Sequence, residues 1–361
     1  MMHGVTVLLA GALLLWAGQA IPSRRYRAVL AQDWTHRLFR TMEDADSLRV
    51  LQARLRVRGD AYVLAVAAFG GNWLVVAGCC MLAEGAPLAY FPLLAALAAG
   101  RFRSLQELAH FAAHGALTQS RRIGEGLADL FSQYPLLLVD VRRWSQMHCG
   151  AHHPLVGSER DPVFATLDHL RGKLAASRSP GSRIVKLVFA PLGPAGVGVR
   201  MREILEVTAS RQIALRLAAF ALLWTLGGSW EGRVVLLIAL VLWLPWFAWI
   251  SLLNEHCWFA ADDDSSGFER DLAYGKRTYF LGIAGVLSRI FIFPVGDTYH
   301  LAHSLVPTVP HQALSHVDAL LCRSWPKYSS VPVRHSVFFP WCGSATIYDL
   351  NGASLAANHD P

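Results

Sequence analysis

Charge is scarce in this sequence. Only 16% of its 361 residues are Asp, Glu, Lys or Arg, against about 25% in an ordinary soluble domain. A surface with so few charges cannot all face water. A hydrophobic share of 53% and a mean hydropathy of +0.33 fit one membrane-embedded unit better than two soluble domains. No linker separates two independent cores. Cysteine pairing motifs are missing as well. The six cysteines are Cys79, Cys80, Cys149, Cys257, Cys322 and Cys342, with no CxxC spacing, and all are expected as reduced thiols. That excludes a disulfide framework. No haem-binding or flavin-binding module is appended, no GxGxxG follows a strand pattern, and no internal repeat occurs.

Long apolar runs take the place of the missing charge. Ala61 to Leu82 is a clear span: 22 residues at about 1.5 Å each give roughly 33 Å, against a hydrocarbon core of roughly 30 Å. Leu88 to Ala99 continues as a second apolar helix, with Arg101 and Arg103 at its far end. Ile213 to Trp230 and Gly232 to Leu253 form another pair with only Glu231 between them. Arg216 is then expected at the membrane edge or snorkelling towards it. Val5 to Ala20 lacks a basic leader and is followed by Arg24, Arg25 and Arg27, so it reads as a retained anchor rather than a signal peptide. Ile123 to Val139 and Leu281 to Val295 are broken by charge and proline and read as interfacial or re-entrant helices.

The basic residues orient these spans. A net charge of +7 would suit nucleic acid or a membrane surface, and placement decides for the membrane. Residues 21–60 hold nine Arg, residues 120–216 hold fourteen Lys and Arg, and residues 254–361 hold seven, whereas the two hairpin tips hold only Arg233. The Arg-rich segments therefore lie on one side, which the positive-inside rule makes the cytoplasm. With the N-terminus outside, five crossings return the C-terminus to the cytoplasm. No nucleic-acid partner is expected.

Eight of the fifteen histidines fall in four short groups. They are His110 and His114; His148, His152 and His153; His256 within Asn254-Glu255-His256; and His300 with His303. On a helix, positions i and i+4 share a face, so His110 pairs with His114 and His148 with His152, and His153 lies about 100° further round. All four groups fall on the side that charge assigns to the cytoplasm. Imidazole suits Fe, Zn, Cu and Ni. A single structural zinc takes about four ligands, so eight candidates suit a dinuclear site. Phe111 stands where an HExxH motif carries its glutamate, which disfavours a zinc protease of that kind. A metal transporter would favour ionisable groups near midplane, and these spans are nearly free of them. His311 and His316 follow the last group and are weaker candidates for a supporting role.

These boxes resemble the membrane fatty acid desaturase superfamily, which also contains hydroxylases and ketolases. The stretch Leu108 to Leu117 resembles its first box. Arg143 to His153, followed by Asp161-Pro162, resembles the second. Glu255-His256 resembles an extra ligand-bearing motif of some members, and Tyr299 to Pro307 the third box. The likeness runs from about residue 60 to 325. It implies an all-α integral membrane protein of four to five membrane helices in hairpins, capped on the cytoplasmic side by a histidine-rich metal site. Residues 1–60 would be an anchor and basic segment, 61–325 the desaturase-like domain, and 326–361 a tail. The resemblance also implies two iron ions ligated by His110, His114, His148, His152, His153, His256, His300 and His303, with Asn254, Glu255 and Asp161 orienting them.

The activity implied is O₂-dependent desaturation of a fatty-acyl lipid by an enzyme of a bacterial-type inner membrane. A separate electron donor, ferredoxin or cytochrome b5-like, would dock on a basic face that includes Arg142, Arg143, Arg171 and Lys173. The alternative is hydroxylation of an alkyl, carotenoid or amino-acyl carbon at the same site. One departure stands out: Ser304 occupies the position of the last histidine of the family's HxxHH box. A water, Glu255 or Asp297 is then expected to fill the gap, or one iron binds weakly.

Overall fold

The computed structural model describes residues 2–56, 61–174, 180–208, 212–258, 265–280 and 282–335. Nearly all of this is helix. Among the described residues the only strands are Arg277–Thr278 and Val333–Arg334, paired in parallel.

Among the described residues, three helices are long and apolar enough to cross a bilayer: α1 (Met2–Leu30), α2 (Ala61–Ala83) and α4 (Trp230–Glu255). Between α2 and α4 in the chain runs α3 (Phe91–Ala113). Its first half is the apolar run seen in the sequence, but the helix does not stop there. It continues through Arg101, Arg103 and Glu107 and delivers His110 in its last turn. Ile213–Leu226 makes a helix of 14 residues, about 21 Å long, short of the hydrocarbon thickness. Five independent crossings were expected from the sequence, and three helices meet the demands of length and composition unaided. Of the two interrupted stretches, one gives the short helix Arg121–Ala128 and the other Gly282–Phe291.

Close approach of small residues holds α1 against α2, as expected where lipid supplies no hydrophobic drive between helices. A Cβ on Gly11 would stand 2.8 Å from the Gly71 carbonyl, and one on Gly78 would stand 2.7 Å from Leu8 Cβ. These pairings run the two helices antiparallel. On α1, Val5, Leu9, Leu13 and Trp16 are exposed at spacings of four, four and three, so they form one outward apolar stripe.

The helix ends sort into two sets. Gly4 meets Leu82, the Phe91 and Trp230 rings lie 6.3 Å apart, and Gly232 approaches Cys80. The start of α1 and both hairpin tips therefore share one end. At the other end lie the termini of α3 and α4 with their histidines.

Arg216 is 1% exposed, its Nη1 donates to the Leu138 carbonyl at 2.6 Å, and its guanidinium lies 4.6 Å over the Tyr134 ring. Protein groups solvate this charge. Cys79, Cys80, Cys149, Cys257 and Cys322 are free thiols. Cys342 and the rest of the tail from residue 336 lie outside the described residues.

Candidate metal centre

The second histidine box is wound as a π-helix, His148–His152. The His153 N–H bonds to the His148 carbonyl, an i→i+5 closure. This places His148 and His153 on one face and turns His152 to another. The i, i+4 pairing of His148 with His152 expected from α-helical spacing is thereby replaced.

The rings then sort into two neighbouring groups. In the first, one ring nitrogen each of His110, His114, His148, His153 and His303 lies within 4.8 Å of all the others. Within it, His110 Nε2 is 2.8 Å from His148 Nε2 and 3.0 Å from His303 Nε2. His153 Nε2 is 3.1 Å from His148 Nε2 and 3.2 Å from His114 Nε2. The second group brings together His152, Glu255 and His256, and joins through Glu255 to Asp297 and His300. His256 and His300 face each other, Nε2 to Nε2, at 3.2 Å. All eight histidines named from the sequence meet here.

Three carboxylates steady these rings. Asp161 is wholly buried and accepts from His152 Nδ1 at 3.0 Å, while also accepting from the backbone N–H of Val163 and Gly157. Glu107, one helical turn before His110, accepts from its Nδ1 at 3.1 Å. Asp297 stands 3.9 Å from His300 Nδ1 and accepts from Ser251 Oγ at 2.6 Å. Buried Arg103 ties the support together by pairing with both Glu107 and Asp297. Aromatic rings wall the cluster: Trp144 stacks on His148 at 4.6 Å, Phe111 lies edge-on to His303, and Trp258 lies edge-on to His256.

The supporting candidates lie as follows. Asn254 donates to the Ile250 carbonyl one turn back along α4. His316 bonds Ser23 of α1, and His311 packs on Phe111 outside both groups. Glu107 and Arg103 were missed. Their signal was present, since Glu107 precedes His110 by three residues and Arg103 precedes Glu107 by four.

Two observations test whether these residues suit a metal. Two nitrogens bound at right angles to one ion at about 2.0–2.1 Å would stand about 2.9 Å apart, close to the separations found. A neutral imidazole has only one N–H to give, so five converging rings cannot satisfy one another by hydrogen bonds. With Nδ1–H donated to Asp161, the buried His152 Nε2 has no hydrogen-bond partner and keeps a lone pair for a cation. Burial pushes the imidazoles of His148, His300 and His303 well below their ordinary range, with neighbouring imidazoles adding to it. His153 falls to about 3 for the same reasons. Neutral rings are what a metal requires.

Fold and site together define a helical, membrane-type protein with a buried polyhistidine centre at one end of its apolar helices. The chain belongs to the fatty acid desaturase family, whose model matches residues 85–336, and so to a group of oxidoreductases. No curated protein matches the sequence.

Proposed function

We propose that this protein is a membrane-bound non-haem di-iron desaturase that introduces a double bond into a fatty-acyl chain, using O₂ and an external electron donor. The observation that carries the reading is the pair of adjacent histidine groups, five rings beside three, at one end of the apolar helices. His110, His114, His148, His153 and His303 would hold one ion, and His152, His256 and His300 the other. Iron bound there supplies O₂ activation and the oxidising power to remove hydrogen from an unactivated methylene.

The chain's own residues do the rest. Glu107 and Asp161 hold the Nδ1 protons of His110 and His152, which leaves each Nε2 as the donor atom. Trp144, Phe111 and Trp258 keep water from the rings. No side chain outside this shell is needed as acid or base.

The membrane placement follows from the same surface. The Arg-rich segments support a cytoplasmic histidine end; we take the membrane to be a bacterial-type inner membrane, with residues 1–60 as anchor, 61–325 as the catalytic unit and 326–361 as tail. The surface cleft lined by Arg121, Arg122 and Arg142, with Glu125 paired to Arg121, also includes Ser145, one turn from Cys149. It suits an acidic electron donor of the ferredoxin or cytochrome b5 kind. The side chains of Arg171 and Lys173 lie outside the described residues.

Ser304 favours a second reading, hydroxylation at the same centre, because a changed ligand set redirects the outcome after hydrogen removal. One experiment separates the readings. Purified protein is given ferrous iron, O₂, a ferredoxin reducing system and long-chain acyl substrates, and the products are weighed by mass spectrometry. Loss of two hydrogens is expected. Gain of an oxygen atom selects hydroxylation, and no iron-dependent product contradicts both.

A further inference from the structure

The two histidine groups are unequal, and the inequality traces to one helix. His300 and His303 open the short helix His300–Leu305. Positions 300 and 304 lie four apart and share a face, and His300 belongs to the three-ring group. Position 304 is therefore the place from which this helix would supply that group with another ring. It carries serine, buried, whose hydroxyl turns back to donate to the His300 carbonyl at 3.1 Å. The group is left with three imidazoles where its neighbour has five.

A carboxylate stands within the group. Glu255 has an oxygen within 4.8 Å of ring nitrogens of both His152 and His256, and likewise of His300. It is the last residue of α4, and the backbone turns from helical to extended at His256, which sends the two side chains from one point into the same group. Imidazole with carboxylate is a donor set that suits iron.

We propose that Glu255 is a direct ligand of the second metal, taking the place left open by Ser304, so that the centre pairs an all-imidazole ion with a three-imidazole, one-carboxylate ion. This rests on the di-iron reading above. A bound anion lowers the net charge of one ion relative to the other, so the two metals differ in electronic character.

The test is an iron count and Mössbauer spectrum of purified protein loaded with isotopically enriched iron. Wild-type protein is expected to hold two irons per chain as two distinct doublets of equal area. Glu255→Gln is expected to retain one, with the spectrum of the five-imidazole ion unchanged, and Ser304→His in the Glu255→Gln background to restore the second. A Glu255→Gln protein that keeps both irons with an unaltered spectrum removes Glu255 from the shell and leaves the di-iron reading standing. Should Glu255→Gln fail to fold, the wild-type spectrum decides alone: a single doublet overturns the proposal. Wild-type protein that takes up no iron overturns the di-iron reading itself.

Discussion

A buried imidazole serves a metal only while it is neutral and turned the right way, and carboxylates accomplish the turning here. Asp161 does so for His152 with the support of two backbone N–H groups. Replacing it by asparagine removes the charge that anchors the Nδ1 proton, and losses of a ligand's supporting partner weaken metal affinity by about 10–100-fold. Asp161→Asn is therefore expected to lose iron to a chelator at far lower concentration than wild type, which a retention titration reads. Unchanged retention would mean that His152 needs no such anchor. The convergence of the eight histidines was legible in the sequence, because a shared metal would call for histidines at close spacing. Asp161 was legible from its place after the second box. Glu107 was overlooked although it sits one turn before His110.

At the scale of the element, local winding decides which ring joins which group. The π-turn at His148–His152 moves His153 into register with His148, and nothing in residue spacing distinguishes this from an ordinary α-turn. Helix length is also set by more than the apolar run. The apolar run ends at Ala99, and buried partners allow α3 to carry Arg103 and Glu107 onward to His110. Packing of α1 on α2 is tighter still. Gly78 has no room for a side chain beside Leu8, and overpacking of this kind costs about 1–3 kcal/mol. Gly78→Leu is expected to lower the melting temperature in detergent while iron per folded chain stays constant. An unaltered melt would show that the two helices can separate freely.

Across the whole molecule, the apolar exterior and the polyhistidine end belong to one design. Exposed apolar side chains run along α1, α2 and α4, and the histidine groups gather where α3 and α4 stop. On the proposed reading, a hydrocarbon substrate dissolved in the bilayer and an oxidant generated at its edge would be brought side by side. Composition foretold the membrane and charge foretold that the histidines share a side. The division of the rings into five and three was not foretold, since it depends on how α3, the π-turn, α4 and the last box cross.

The account stands most directly on the metal content of the protein. Wild-type chain purified in detergent, loaded anaerobically with ferrous iron and freed of excess, is predicted to retain two irons per folded chain. A folded chain that retains none, or a single iron only, would contradict the claim that these eight histidines build a dinuclear centre.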